Sequence, residues 1–269
     1  MTIRRWILLC GVSLCAAGQA RADTCTLVTE FGTGRVLKKE GDCERRSSPA
    51  STFKVPLSLM GYDAGILKNE SEPAWPYKPE YDAWNQAWKK TITPTAWLRD
   101  SVVWYSQALT RSLGESAFKR YVDAFDYGNR DVSGDPGKNN GLTRAWLGSS
   151  LQVSPLEQVA FLDRLLKRRL PVSKQAMDMT MAIMPVFPMA DGWTAYGKTG
   201  TAFQLSPNGT PDRDRQIGWF VGWARKGERT VLFTRLIRDE TKEKGVASFR
   251  ARDGLLADLP SIVKEQARP

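Results

Sequence analysis

The chain has 269 residues, with 39 lysines and arginines against 29 aspartates and glutamates, and it contains no histidine. Without histidine, the Ser-His-Asp triad, the Cys-His pair and nearly all catalytic zinc sites are excluded, and we expect no metal ion. The net charge of +10 would suit a nucleic-acid partner, but the densest basic run, Arg164 to Arg169, carries leucines at helical spacing. That run predicts the solvated face of an amphipathic helix, so we expect no nucleic-acid partner.

The first 22 residues have the pattern of a secretory signal. Two arginines near the start precede an apolar run from Trp6 to Ala17, and Ala20-Arg21-Ala22 matches the small-residue cleavage pattern. We therefore predict that residues 1–22 are a signal peptide and that the mature protein is periplasmic. The apolar run is too short for a stable membrane anchor, and the bulky leucine before Cys15 disfavours a lipid anchor there.

Two cysteines, Cys25 and Cys43, follow the predicted signal. In an exported chain an even pair of cysteines predicts a disulfide. The runs Cys25 to Phe31 and Arg35 to Lys39 flank Gly32-Thr33-Gly34, a pattern that predicts a hairpin with both thiols near its base. Two unpaired thiols are the alternative.

Strand patterns lie near both ends of the chain, and helical patterns lie between them. The late strands are expected at 194–196, 218–224 and 230–236, the last two joined by a hairpin loop at 225–229. The predicted helices are Thr52 to Tyr62, Thr95 to Ser112, Glu115 to Asp126, Pro155 to Lys167, Lys174 to Met184, and Ser248 to Lys264 with a break near Pro260.

This order of elements predicts an α+β fold, in which an antiparallel sheet is flanked by helices and interrupted by an inserted all-helical lobe. Residues 23–62 and 185–269 are expected to form the sheet part, and residues 63–184 the helical lobe. The two parts would make one globular catalytic unit.

The stretch Ser51-Thr52-Phe53-Lys54 is the first candidate for chemistry. If it opens a helix, Ser51 and Lys54 share one face with about 5–6 Å between their Cβ atoms, so the amine can reach the hydroxyl. This is a nucleophile with a base beside it. The same spacing recurs at Ser116 and Lys119 and at Ser261 and Lys264, so the spacing alone is not specific.

Further motifs follow in chain order: Ser101-Val102-Val103, Tyr127-Gly128-Asn129, Trp146 to Leu151, and Lys198-Thr199-Gly200-Thr201. A serine with a lysine partner, a second serine motif and a late Lys-Thr-Gly are typical of serine β-lactamases and penicillin-binding proteins. The Ser-x-Val, Tyr-Gly-Asn and Trp-Leu-Gly-Ser-Ser-Leu forms closely resemble the class D, oxacillinase-type β-lactamases over essentially the whole mature chain. The resemblance implies the serine β-lactamase and transpeptidase-like fold.

The resemblance also implies catalytic roles. Ser51 would be the nucleophile, and Lys54 the general base after its amine is carboxylated by carbon dioxide or bicarbonate, with no other cofactor. Trp146 would donate a hydrogen bond to that carbamate, and Ser101 would pass a proton to the departing ring nitrogen. Burial among apolar neighbours would favour the neutral form of Lys54, and a free amine acting directly as the base is the alternative.

Binding roles follow from the same resemblance. The backbone N–H groups of Ser51 and Thr201 would form the oxyanion hole. Arg250 would bind the substrate carboxylate, with Arg252 as the alternative. The other residues expected around the substrate are Lys198, Thr199, Gly200, Val103, Leu147, Tyr127 and Asn129.

The expected function is therefore hydrolysis of the β-lactam ring of penicillins, a small-molecule substrate class, through an acyl-enzyme on Ser51. A penicillin-binding peptidase, a β-lactam sensor domain and a non-enzymatic periplasmic binding protein are the alternatives. The sequence leaves open whether the protein is a monomer or a homodimer. It also leaves open the range of lactams accepted, which we expect to depend on a strand-joining loop near Gln204 to Arg215.

Overall fold

The structure is a computed structural model that describes residues 23–265. The predicted signal peptide, residues 1–22, lies outside that range. None of the helices in the described range is long and apolar enough to cross a membrane.

Within that range, strands from both ends of the chain form one antiparallel sheet of six strands in the order β2-β1-β6-β5-β4-β3. The strands are β1 (Asp23–Glu30), β2 (Val36–Glu40), β3 (Val186–Pro188), β4 (Thr194–Leu205), β5 (Pro211–Lys226) and β6 (Arg229–Arg238). The N-terminal hairpin joins the late strands because β1 pairs with β6, where Cys25 lies opposite Leu236. The predicted antiparallel sheet completed late in the chain is confirmed.

The strand-joining segment differs from its prediction. Residues 204 to 215 were expected as a long loop, but Gln204 pairs with Asp212 and Leu205 with Pro211. Only residues 206–210 connect β4 to β5. The two prolines and one glycine of this segment, Pro207, Gly209 and Pro211, lie in or next to this tight connection, and cross-strand pairing extends the hairpin almost to its tip.

The helices are α1 (Lys54–Asp63), α2 (Pro94–Asp100), α3 (Val103–Leu113), α4 (Glu115–Ala124), α5 (Gly141–Arg144), α6 (Pro155–Leu166), α7 (Lys174–Ala182) and α8 (Ala247–Glu265). The expected helix from Thr95 to Ser112 is wrong in one respect: it is two helices, α2 and α3, separated at Ser101 with φ of 57°. The expected break near Pro260 is also wrong, because α8 continues through that proline. Its burial against the sheet at Leu259, Ile262 and Val263 outweighs the one backbone hydrogen bond that a proline removes.

Helices cover both faces of the sheet. Trp219, Val221 and Trp223 of β5 point into a large apolar cluster that includes residues of α1, α3 and α6. Phe220 and Ala224 point to the other face, into a smaller cluster with α8. This alternation is what a strand buried on both faces requires. The strands all lie within residues 23–62 and 185–269 and α2 to α7 within 63–184, and the division into lobes stays a prediction.

The predicted disulfide between Cys25 and Cys43 is present, with the two Cα atoms 5.1 Å apart. Both cysteines are buried, at 0% and 1% exposure. The bond ties β1 to the segment that leads into Ser51.

We expect the Cys25→Ala/Cys43→Ala double variant to lose about 3 kcal/mol of unfolding free energy, because its unfolded chain is no longer constrained by the closed loop. Denaturant titration measures this loss. Adding a reductant to the double variant should cause no further loss. A wild type that keeps its stability when Cys25 and Cys43 are reduced would contradict the expectation.

Candidate active site

The turn that carries Ser51 is a 3-10 turn, Ala50–Phe53, that runs directly into α1. The spacing predicted from sequence is realised, because Lys54 Nζ lies 3.2 Å from Ser51 Oγ. Ala50 has φ of 50°, in the left-handed region that a non-glycine residue adopts only at a cost. The surrounding contacts therefore hold this turn, and with it the serine hydroxyl, in a conformation that the isolated chain would not favour.

Lys54 is fully buried, at 0% exposure. Desolvation, followed by the positive charge of Lys198, lowers the pKa of Lys54 well below its ordinary value. Lys198 is buried at 1% exposure, and its burial lowers the pKa to about 7. This lowered pKa favours the neutral amine of Lys54, which is the form that can accept the proton of Ser51 or react with carbon dioxide.

Trp146 packs against Phe53, the residue before Lys54. Its ring stacks on Phe53 at a centroid distance of 5.5 Å, and the residue is 0% exposed. The indole Nε1 is buried and has no hydrogen-bond partner among residues 23–265. A buried donor without an acceptor costs about 1–3 kcal/mol, and an indole N–H can only donate. The site thus contains a buried donor without an acceptor among the described residues.

Ser48, which the sequence analysis missed, holds the backbone around Trp146. Its hydroxyl donates to Trp146 O at 2.9 Å and accepts from Gly148 N at 2.8 Å. The Trp219 indole of β5 donates to Ser48 O at 2.8 Å. These bonds fasten the Trp146 segment to the chain just before Ser51. No sequence signal marks Ser48 beyond its position near the Ser51 motif.

Ser101 lies at the break between α2 and α3, and its hydroxyl accepts a hydrogen bond from Lys198 Nζ. The same Nζ donates to Thr199 O at 2.9 Å. The helix break gives Ser101 its left-handed backbone and turns its hydroxyl towards β4. Two candidate residues that lie 97 positions apart in sequence are thereby brought into contact.

Gly200 brings β4 close to the Ser51 turn. A Cβ at Gly200 would lie 2.9 Å from Pro49 O and 3.0 Å from Thr52 N. The absence of a side chain at Gly200 therefore lets β4 pack closely against the turn. Because β4 runs past this turn, it can carry the Thr201 N–H that was predicted for the oxyanion hole; that role of Thr201 stays a prediction.

The two candidate arginines of α8 have different surroundings. Arg250 Nη2 lies 2.5 Å from Asp239 Oδ2, and Ser248, two residues earlier, accepts a hydrogen bond from Thr201 Oγ1 at 2.7 Å. Arg252 instead pairs with Asp253 and lies over the ring of Phe249 at 4.8 Å. The contact between Ser248 and the Lys-Thr-Gly strand favours Arg250, whose role in substrate binding stays a prediction.

Tyr127 and Asn129 use their polar side-chain groups for contacts within the protein, and their contact with substrate stays a prediction. Tyr127 is 1% exposed and its hydroxyl donates to Gln158 Oε1 at 3.2 Å. Gln158 in turn donates to Thr52 Oγ1 at 2.8 Å, so Tyr127 and Gln158 together support the Ser51 turn. Asn129 Nδ2 donates to Ser150 O at 2.8 Å and so braces a loop.

Val103 and Leu147 each lie close in sequence to a catalytic candidate. Val103 begins α3, two residues after Ser101, and is 3% exposed. Leu147 follows Trp146 and is half-buried against the large apolar cluster. Val103 belongs to the large apolar cluster, and contact of either residue with Lys54 or with substrate stays a prediction.

Comparison with known proteins gives the same pattern over most of the chain. The family model of the penicillin binding protein transpeptidase domain matches residues 24–255. The chain is 44% identical over 253 residues to "Beta-lactamase OXA-9" of Klebsiella pneumoniae, covering 94% of this chain and 92% of that protein. It is 37% identical over 216 residues to "Beta-lactamase OXA-1" of Escherichia coli, covering 79% and 75%. The crystal structure of OXA-427, a class D β-lactamase, aligns with a TM-score of 0.83 at 48% identity, covering 90% of this chain and 99% of that one.

We expect Gly200→Ala to lower the unfolding free energy by about 1–3 kcal/mol, because the added methyl group meets backbone atoms that cannot easily move. Gly254→Ala in α8 is the matched control: the nearest atom to its added methyl group is the flexible end of Arg235. That change should be neutral or stabilising by up to about 1 kcal/mol. Denaturant titration of both variants checks the difference, and equal effects would contradict it.

We expect stability to rise with pH above neutrality. The folded pKa of Lys198, about 7, lies below its ordinary value of 10.5, so the unfolded chain binds one more proton between these values. The cost of burying Lys198 is complete below pH 7 and is relieved as pH rises towards 10.5. The slope for one such lysine is at most about 1.4 kcal/mol per pH unit, and Lys54 adds to it in the same direction.

Denaturant titration in buffer freed of carbon dioxide, at several pH values above 7, measures this slope. Lys198→Met removes the titrating amine and keeps a chain of similar length. The variant should have a flatter slope than the wild type. An identical slope in the two proteins would show that burial of Lys198 does not control the pH dependence.

Proposed function

The chain belongs to the class D serine β-lactamases and hydrolyses the β-lactam ring, and from that premise we propose that it acts on penicillins through an acyl-enzyme on Ser51, with a carboxylated Lys54 as general base. The observation that carries this proposal is the unsatisfied indole N–H of Trp146, whose ring stacks on Phe53, the residue before the buried Lys54. A neutral, desolvated amine is the form that combines with carbon dioxide.

The residues present fit a carboxylated lysine. Lys54 Nζ would carry the group, and Trp146 Nε1 and Ser51 Oγ are the groups available to hold it. Carboxylation supplies a base that carries negative charge at neutral pH beside the nucleophile. The positive charge that Lys198 takes up below a pH of about 7 would stabilise such an anion, whereas it opposes a second ammonium at Lys54.

In the acylation step, Ser51 Oγ loses its proton and attacks the lactam carbonyl carbon. The bond from Ser51 Oγ to that carbon forms while the carbon–nitrogen bond of the ring breaks. The N–H groups of Ser51 and Thr201 would hold the developing oxyanion, a contribution of about 3–4 kcal/mol per donor in other enzymes. Water then attacks the ester carbon of the acyl-enzyme, the bond from that carbon to Ser51 Oγ breaks, and the acid product leaves.

The departing ring nitrogen needs a proton, and Ser101 is placed to supply it. The Ser101 hydroxyl accepts a hydrogen bond from Lys198 Nζ, so Lys198 can return the proton that Ser101 gives up. A pKa of about 7 allows Lys198 to do so at neutral pH. Its second contact, at 2.9 Å to Thr199 O, keeps the amine beside the strand that would bind the substrate carboxylate.

The substrate carboxylate is proposed to bind where β4 meets the start of α8. Arg250 offers a planar group with several donors, which suits a carboxylate better than a single ammonium does. Thr199 and Lys198 lie on the adjacent strand. Export is also part of the proposal: the disulfide between two buried cysteines suits an oxidising compartment such as the periplasm.

Turnover separates hydrolysis from the peptidase and sensor alternatives. Purified protein mixed with a penicillin should release many equivalents of product per molecule of protein. A single stoichiometric burst followed by a stable acyl-enzyme would instead support a peptidase or sensor. Lys54→Ala should abolish turnover, with deacylation lost most completely, and a near-normal rate in that variant would rule out Lys54 as the base.

We expect Trp146→Phe to require at least about tenfold more bicarbonate than the wild type for half-maximal penicillin turnover, because one hydrogen bond to a charged group is lost. Trp223→Phe is the matched control: its indole is also buried and has no Nε1 partner among the described residues, but it stacks on Tyr196 in the sheet. That variant should keep the wild-type bicarbonate dependence.

A readout independent of activity is the carbon-13 NMR signal of the carbamate on protein supplied with labelled bicarbonate. The signal should be present in the wild type and in Trp223→Phe, weaker in Trp146→Phe and absent in Lys54→Ala. A wild type without the signal, active at every bicarbonate concentration, would show that the free amine of Lys54 is the base.

A further inference from the structure

Asp239 is a carboxylate held at 0% exposure directly after β6. Its main chain is fixed on both sides, because its N–H donates to Gln216 O at 2.9 Å and its carbonyl accepts from Gln204 Nε2 at 2.5 Å. Gln204 belongs to β4 and Gln216 to β5. The backbone of Asp239 is therefore joined to the two strands beside the candidate active site.

The side chain of Asp239 faces Arg250. Its Oδ2 lies 2.5 Å from Arg250 Nη2, while its Oδ1 and Arg250 Nε are both buried without a partner among residues 23–265. The arginine side chain keeps 29% exposure. One edge of the guanidinium is therefore held inside the protein, and the rest of the group stays accessible.

The Asp239–Arg250 pair differs from the pair formed by Arg252 and Asp253, both on α8. Arg252 and Asp253 are neighbours on the helix surface, where the aspartate is 64% exposed. An exposed pair of that kind contributes about 0–1 kcal/mol. A fully buried carboxylate is costly unless its partner stays in place, so Asp239 has a strong preference for one arrangement of Arg250.

We propose that Asp239 is a positioning residue for the β-lactam carboxylate: it fixes the guanidinium of Arg250 relative to β4 so that its remaining N–H groups meet the substrate. The inference rests on the proposed function, in which Arg250 binds that carboxylate. The link through Gln204 matters here because Gln204 lies on β4, the strand that also carries Thr199 and Thr201. Asp239 thereby sets the distance between the arginine and the Lys-Thr-Gly motif.

The position offers no cue in the sequence. Asp239 stands between Arg238 and Glu240 in a charged stretch, where an aspartate would be expected on the surface. Arg238 turns the other way, donating to Asp23 Oδ2 at 3.0 Å. Asp239, the next residue, is held in the interior on the side of Arg250 by the backbone hydrogen bond from its N–H to Gln216 O.

The test is a double-mutant cycle of Asp239→Asn and Arg250→Ala, measured with a penicillin that has its free carboxylate and with the methyl ester of the same penicillin. Asp239→Asn keeps the shape of the side chain and removes its charge. We expect it to raise KM for the acid about tenfold with kcat within twofold, and to leave the ester unchanged. In the Arg250→Ala background it should add less than twofold to KM, because its partner is gone.

Asp253→Asn is the matched control, an acid-to-amide change beside the neighbouring arginine, and it should leave both substrates unaffected. If Asp239→Asn does not fold, Gln204→Ala provides the second variant, since it releases the carbonyl of Asp239. That variant should raise KM for the acid about threefold and again spare the ester.

The outcomes separate the two levels of the argument. If Arg250→Ala leaves KM for the acid unchanged, the proposed carboxylate site is wrong and the role of Asp239 falls with it. If Arg250→Ala raises KM but Asp239→Asn does not, only the positioning role is overturned. Equal losses on acid and ester, or effects of the two variants that simply multiply, would show that Asp239 acts through the fold as a whole.

Discussion

The burial of two lysines in one interior is the constraint on which the rest of this site depends. Lys54 and Lys198 are 0% and 1% exposed, and neither forms an ion pair with a carboxylate within residues 23–265. Desolvation favours their neutral forms, and the charge of Lys198 further lowers the pKa of Lys54. In a chain without histidine, such burial is a way to favour the neutral form of an amine beside a serine hydroxyl. Burying the two amines costs unfolding free energy, so the surrounding contacts must stabilise the site.

That scaffold consists of contacts that approach the Ser51 turn from several sides. Gly200 lets β4 lie against Pro49 and Thr52. Phe53 packs on Trp146 in a stacked arrangement, and Gln158 holds Thr52 by a hydrogen bond. Ser48 connects the Trp146 segment to the same turn. Each contact is ordinary, but together they maintain the left-handed backbone of Ala50 just before the serine. The geometry of the hydroxyl is thus set by the packing of β4, α6 and the Trp146 segment on a single turn.

The sequence predicted the antiparallel sheet, the disulfide, and the contacts of Ser51 with Lys54, because each depends on local spacing or on motif composition. It did not predict the break at Ser101, since apolar residues such as Trp97, Leu98 and Trp104 continue on both sides of it. The break depends on tertiary contacts, including the bond from Lys198, that lie far away in sequence. The contact of Tyr127 was not predicted for a similar reason: its hydroxyl donates to Gln158, a residue of α6. Patterns of period and composition contain no information about such distant partners.

The residues that support the site have weaker sequence signals than the candidate reacting residues do. Serine, lysine and tryptophan at motif positions have chemistry that suggests a role, whereas Ser48 and Asp239 acquire theirs only from burial. Ser48 is 2% exposed and Asp239 0% exposed, yet short polar residues in such sequence contexts usually lie on the surface. A desolvated polar group must have a fixed partner, and for both residues that partner belongs to the segments that hold Trp146 or Arg250. The requirement that buried polar groups be satisfied therefore links stability to the candidate site, because the partners of Ser48 and Asp239 lie in the segments that carry Trp146 and Arg250.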